Sequence, residues 1–313
     1  MNDSSLRILV VGATGALGRP LSARLRSDGH RVFGIHRSPE GARVLESLGC
    51  VSLPVDVFDE RAVAQAIDTA RPDVIVHQLT ALPKEPSPRA MARAVAVTND
   101  LRRRTVPLFA DYARRTGARF VAQSISFVTR PEGPAVQDES ALLWLDAPPA
   151  VAGAIDAVRV LEESTLRAGG LALRYGFFYG PGTWFARDGG IAAMVRKRML
   201  PLTGSGEGLS SFVHVDDAVT ATVCAIYRGA SGVYNVCDDE PVSQNEWLPE
   251  VARVLGAKPP RRAPAWLVGW LAGPAAVYYG TALRGASNAK AKAALQWVPR
   301  SWRTGFADAF AGA

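Results

Sequence analysis

Three glycines at a spacing of three, Gly12, Gly15 and Gly18 in GATGALG, follow the apolar run Arg7–Val11 and open a helical pattern. Glycine allows the tight turn and lets a phosphate come up against the backbone. The first turn of the helix then offers unpaired N–H groups and the positive end of its dipole to an anion. That loop, with Thr14, Ala16 and Leu17 between its glycines, is where the pyrophosphate of a dinucleotide would rest. At the end of the next apolar run stands His36-Arg37-Ser38. An acidic residue there would grip a ribose hydroxyl. Arg37 can instead pair with a 2′-phosphate and Ser38 can donate to it, so NADP is favoured over NAD. An exposed Arg37 stacked on adenine is the plainer alternative. Asp56, with Val57 beside it in the run Pro54-Val-Asp-Val-Phe58, is placed to meet the adenine edge or to cap the following helix.

These side chains need elements to hold them. Along the first 175 residues short runs rich in Val and Ile alternate with longer helical patterns, the signature of parallel strands joined by crossovers. Strands are expected at 7–11, 31–35, 52–55, 74–77, 119–122 and 171–174, and helices at 17–28, 39–48, 60–70, 90–116 and 150–168. Right-handed crossovers stack those helices on both faces. Further on, 212–215, a helix at 217–228 and 233–236 read as a return to the same sheet. The expected fold is therefore α/β: a doubly wound parallel sheet binding a dinucleotide, from residues 1–180 plus 210–237, with a smaller C-terminal substrate domain from 181–209 plus 238–313. The active site belongs in the cleft at the carboxyl ends of the strands.

Composition narrows the classes. A chain of 313 residues, 48% of them apolar, can bury a large core. Its three cysteines form no Cys-x-x-Cys pair and encode neither a disulfide framework nor a zinc knuckle. The polar leader MNDSS runs straight into the first strand with no apolar signal core, which makes a cytoplasmic address the default. The net charge of +7 comes with short, scattered clusters such as Arg102 to Arg104, which read as solvated helix faces. No nucleic-acid motif accompanies them, so a small molecule is the expected partner; a homodimer is left open. Residues 263–283 are uncharged and long enough for a membrane span. Pro264, Pro274, Gly269, Gly273 and Gly280 interrupt them, so paired short helices over an apolar pocket are expected and no span. His77 and His214 have no second ligand at metal spacing, and no metal site is expected.

With these residues in hand, the chain resembles the extended short-chain dehydrogenase/reductases, the NAD(P)-dependent epimerase/dehydratase family, and more closely its atypical members. Beyond GATGALG the resemblance rests on VIVHQLTAL, Asn99, FVAQSISFV, LRYGFFYGPGT, FVHVDDAV, YNVCDDEP and LQWVPRSWRTGF, which span nearly the whole chain. It implies a Rossmann-type fold in which Leu79, Thr80, Ala81, Asn99, Tyr175 and Phe178 line the cofactor, and in which the fifth strand delivers Ser124. The family's usual acid/base pair is a Tyr followed four residues later by a Lys, the Tyr roughly 25 residues after the serine. Here the matching helix reads AVAGAIDAVRVLEES, and none of the seven tyrosines has a Lys four residues on. In that pair the Lys lowers the phenol's pKa so that the Tyr can exchange a proton with a substrate oxygen.

Without the pair, ordinary alcohol oxidation is disfavoured, yet hydride chemistry survives, because positioning supplies much of the rate. Ser124 is the first candidate for a substrate-contacting hydroxyl, against a strand-end serine satisfied by backbone. Tyr179, in the YGPG loop, is the second, against a packed aromatic. Asp156 is a replacement acid or base on the same helix. The C-terminal part carries Trp184, Phe185, Trp247, Trp266, Trp270, Tyr278 and Tyr279, which suit an apolar or aromatic substrate, against the plainer reading that most of them are ordinary core; Arg196, Arg198 and Arg284 keep open a diphosphate clamp for a nucleotide sugar. The reading is an NADP(H)-dependent oxidoreductase acting on a small, largely apolar carbonyl or conjugated compound. An epimerase, isomerase or dehydratase that uses bound NAD(P) without net turnover, and a non-enzymatic NADP-binding regulator, are the alternatives.

Overall fold

Residues 5–83 and 88–311 are described by a computed structural model. Seven strands form one parallel sheet: β1 (Arg7–Val11), β2 (Arg31–His36), β3 (Val51–Pro54), β4 (Val74–His77), β5 (Arg119–Ile125), β6 (Leu171–Tyr175) and β7 (Gly232–Val236). Their order is β7-β6-β5-β4-β1-β2-β3. The order reverses between β1 and β4, and a ligand crevice opens at such a switch point, beyond the carboxyl ends of the strands.

The helices are α1 (Gly18–Ser27), α2 (Pro39–Ser47), α3 (Glu60–Ala70), α4 (Pro88–Thr116), α5 (Pro149–Arg167), α6 (Gly190–Arg196), α7 (Val215–Tyr227), α8 (Gln244–Val254), α9 (Ala265–Ala272), α10 (Pro274–Thr281), α11 (Ala289–Leu295) and α12 (Trp302–Ala311). The period of two along β1 sorts them into layers. Ile8 and Val10 join Leu21 and Leu25 of α1 and Ala218 and Ala221 of α7 on one face. Leu9 and Val11 join Ile67 of α3 and Val106 and Phe109 of α4 on the other. Both faces are covered, which is why these strands read as continuous apolar runs rather than alternating ones.

Two expectations are corrected. Phe212–His214 does not rejoin the large sheet; it pairs in parallel with Phe177–Tyr179 as a separate two-stranded ribbon, and Val215 already begins α7. The chain peels away at Gly176, where an added Cβ would lie 2.4 Å from the Ser211 carbonyl oxygen, so only a glycine lets the two backbones pass. The C-terminal segment is not confined to a lid either: Ala291, Leu295 and Trp297 pack under the sheet with α7. A second core of Tyr179, Phe185, Phe212, Trp247, Trp302 and Phe306 lies beside it.

The uncharged stretch folds as α9 and α10, broken at Gly273 with φ of 88°. Among the described residues no helix is long and apolar enough to cross a membrane. α10 turns Tyr278 and Tyr279 inward against Trp144, Phe127 and Phe177. α9 leaves Trp266 and Trp270 exposed, so of the two helices α10 is the one whose aromatic side chains turn inward.

Candidate active site

The phosphate end of the crevice is made of backbone. Gly12 takes φ of 99°, and a Cβ on it would meet the Gln78 carbonyl carbon at 2.8 Å. A Cβ on Gly18 would lie 2.1 Å from the Gly12 oxygen, so α1 can start against the turn only if residue 18 has no side chain. Gly15 and Ala16 are exposed at the mouth. α1 begins with no side-chain cap and no acidic residue in its first turn. An uncapped helix start facing a cradle that a Cβ would fill suits a pyrophosphate. Arg19 pins the loop by donating its Nε to the Thr14 carbonyl at 2.9 Å.

At the adenosine end Arg37 is exposed and makes no hydrogen bond or ion pair with any described residue. Ser38 is already engaged: its Oγ accepts from the Gly41 amide at 3.2 Å as the cap of α2, and it also bonds the Glu40 carboxylate. Glu40's own backbone amide, Ser38 and then Arg43 hold that carboxyl below its ordinary value. Asp56 does not cap α3, which is the work of Asp59; its Oδ1 accepts from the Phe58 amide at 3.0 Å, and its other oxygen is left toward solvent. Val57 is buried beneath it.

The wall after β4 is Leu79, Thr80 and Ala81, all half-buried. Thr98 of α4 accepts from the Ala81 amide at 3.0 Å, and Thr105 bonds the His77 Nε2 at 2.8 Å, which fastens α4 along the end of β4. Burial pulls the His77 imidazole down to about 3, so it stays neutral. Asn99 is buried with its side-chain oxygen unpaired, its amide nitrogen facing Gly153 of α5. Sequence reasoning passed over Gln78. It is 5% exposed, and its amide lies beside the buried Tyr175 hydroxyl. Its signal was its place beside the glycine turn, where a polar side chain interrupts an apolar run.

Several residues expected at the reacting end lie elsewhere. Ser124 is fully buried and donates its Oγ to Glu162 Oε1 of α5 at 2.8 Å. Both Glu162 oxygens also take Arg174 of β6, at 2.7 Å each, in a pair almost closed to solvent. The Ser124 hydroxyl thus completes a buried ion pair. Tyr179 packs edge-on to His214, Phe212 and Phe306 in the second core, and burial pushes its phenol far above the ordinary range. Asp156 is held below its usual value by hydrogen bonds from Arg159 and Arg103, at 2.8 and 3.0 Å, and is a poor base. Tyr175 is fully buried; its hydroxyl bonds Thr222 of α7 at 2.7 Å and lies beside the Gln78 amide, and Phe178 tilts against its ring. Arg196, Arg198 and Arg284 each donate to a backbone carbonyl, of Arg187, Pro259 and Pro131, which ties down loops rather than building a diphosphate clamp.

What the structure brings to the reacting end instead is Ser126, just past β5, and an aromatic wall. The Ser126 hydroxyl makes no hydrogen bond with a described residue. Phe127 and Phe177 stack at 4.4 Å with 5° between their planes, and Tyr279 meets both edge-on. Tyr278 leans on Trp144 at 5.0 Å. α5 passes this wall with no Tyr and no Lys anywhere in its length.

Residues 8–237 match the NAD dependent epimerase/dehydratase family. The chain belongs to that family. A Streptomyces protein named 3-diazoavenalumate denitrifying reductase is 45% identical over 96% of this chain and 99% of its own length. A 2-alkyl-3-oxoalkanoate reductase of Stenotrophomonas maltophilia is 26% identical over 80% of this chain and 76% of its own. Among solved structures the UDP-glucose 4-epimerase of Thermotoga maritima superposes with a TM-score of 0.75, at 20% identity and covering 97% of both chains. The dTDP-glucose 4,6-dehydratase of Bacillus anthracis does so at 0.73 and 16% identity, covering 97% of this chain and 94% of that one. These likenesses carry the seven-stranded NAD-binding fold. Membership in the epimerase/dehydratase family and the reductase relatives make this an NAD(P)-dependent enzyme, an oxidoreductase in the broad sense.

Proposed function

We propose that this enzyme is an NADP(H)-dependent reductase that removes the diazo group of an aromatic carboxylate as N2. The observation that carries the reading is α5: the nucleotide cradle is intact, while the helix beside the aromatic wall has no Tyr or Lys. A carbonyl reductase needs a proton for the oxyanion that hydride creates, and losing the positioned acid costs about 100- to 10,000-fold. Bound, the nicotinamide supplies a hydride, and an arenediazonium plus a hydride balances to an arene plus N2 with no net proton. The ring C–N bond breaks with its electron pair leaving on N2, the hydride pair forms the C–H bond, and the ring carbon is the atom reduced, by two electrons. A site for that reaction can dispense with the acid/base pair.

The residues of this chain then bind and orient. The Gly12–Gly18 loop and the start of α1 hold the pyrophosphate. Arg37, free of partners, takes the 2′-phosphate, which favours NADP. Phe127, Phe177, Trp144, Tyr278 and Tyr279 enclose an aromatic ring and keep water from it. Ser126 is the hydroxyl that orients the reacting group. The name of the 45% identical relative, a denitrifying reductase of a diazo carboxylate, supports the same chemistry.

The test is turnover of 4-carboxybenzenediazonium with NADPH, following N2 and benzoate. One NADPH consumed per N2, faster than the uncatalysed rate, supports the reading. Rapid reduction of hydrophobic ketones with no gain on the diazonium overturns it in favour of a carbonyl reductase. Tight cofactor binding with no turnover of either leaves a nucleotide-binding regulator.

A further inference from the structure

Arg102 is expected among the solvated arginines of α4, yet it is 6% exposed. Its guanidinium makes no hydrogen bond or ion pair with any described residue. Burying an ion without a counterion costs several kcal/mol, and native proteins keep such groups paired or put them to use. Its position is fixed by its neighbours on the helix. Thr98 is four residues before it and Thr105 three after, so all three share one face. Those two threonines bond Ala81 and His77, at either end of the segment after β4. Arg102 therefore faces the segment between them.

The groups around it do not neutralise it. Glu162 of α5 acts on it from a distance, but its oxygens are already taken by Arg174 and Ser124. Tyr279 of α10 is close enough for the Arg102 charge to act on its phenol, and burial keeps that phenol neutral. Desolvation pulls the guanidinium down to about 10, which still leaves it charged at neutral pH. A fixed cation thus stands between the end of β4 and the aromatic wall.

We infer that Arg102 is the site that receives the carboxylate of the substrate, holding it while the ring lies against Phe127, Phe177 and Tyr279. A planar guanidinium can take both oxygens of a carboxylate, and a substrate anion would supply the missing counterion in a water-poor site. The inference rests on the proposed reading of this crevice as the substrate site, and it names the substrate class as aromatic carboxylates.

The experiment is calorimetry of the NADP+-saturated enzyme with 2-naphthoate and with its methyl ester, on the wild type, Arg102→Gln and Arg102→Lys. The wild type should bind the acid at least 10-fold more tightly than the ester. Arg102→Gln should erase that preference and Arg102→Lys keep part of it, with NADP+ affinity unchanged within about twofold. The ligand-free Arg102→Gln protein should also melt higher than wild type, because an unpaired buried charge has gone; a merely structural arginine would move the melting point down. Equal or undetectable wild-type binding of acid and ester, unchanged binding by Arg102→Gln, or a parallel loss of NADP+ would each overturn the inference. Naphthoate carries no diazo group, so failure of the denitrification assay leaves this result standing, and the reverse also holds.

Discussion

The two halves of the crevice are built on opposite terms. The half that takes the dinucleotide works through backbone: a glycine turn, an uncapped helix and Arg37, which has no partner among the described residues, with hardly a side chain that chemistry could replace. The half beyond β5 works through side chains, and there the usual proton-transfer groups are absent, the strand serine is spent on a buried ion pair, and aromatic rings fill the space. The contrast teaches that binding the cofactor and choosing the reaction are separable.

The largest effect expected is at Gly18. Replacing it by Val drives a side chain into the Gly12 carbonyl and should abolish measurable nucleotide binding, a loss beyond 100-fold by calorimetry. Retained binding would mean that the backbone cradle is not what holds the phosphates.

Next is the buried pair in the other half. Glu162→Ala leaves Arg174 uncompensated and should cost about 3–5 kcal/mol in urea unfolding, as removal of one partner of a buried pair does. Arg37→Asp should weaken NADP about 10- to 100-fold while moving NAD only slightly, since only NADP carries the charge that Arg37 meets; equal losses would break the assignment.

A smaller effect belongs to Asp238, in the second core. Its Oδ2 accepts from the Trp302 amide at 3.0 Å and its other oxygen is unpaired. Desolvation pushes its carboxyl up to about 8. A carboxyl raised from 3.8 is protonated in the fold where the unfolded chain has ionised it, so its contribution is complete below about 4 and is lost as pH rises toward 8. The slope should be on the order of 1 kcal/mol per pH unit at most, and Asp238→Asn should flatten it. The smallest effect separates two serines of the same strand end. Ser124→Ala should cost about 1 kcal/mol of stability and leave turnover near wild type, whereas Ser126→Ala should lower kcat with little change in stability.

Most of the fold was legible because apolar runs of Val and Ile report parallel strands buried on both faces. GATGALG was legible because its function is backbone geometry, which sequence spacing encodes directly. Phe212–His214 was misplaced because a strand pattern does not say which neighbour it pairs with; the answer lay in Gly176, whose missing side chain lets the ribbon cross. The surroundings of Ser124 and Arg102 were not legible for a related reason. A serine at a strand end and an arginine in a basic helix look the same in sequence whether they face solvent, a ligand or a buried partner. Only the positions of Glu162 and Arg174 decide that Ser124 is occupied, and only burial without such a partner among the described residues marks Arg102.

The central claim is that this site delivers hydride without a proton relay. Single-turnover oxidation of NADPH by 4-carboxybenzenediazonium, with the transferred hydrogen as deuterium and separately in D2O, tests it most directly. The account predicts a clear primary isotope effect from the cofactor's deuterium and a solvent effect near unity on the same step. A solvent effect of about two or more on that step, or N2 loss without oxidation of NADPH, would contradict it.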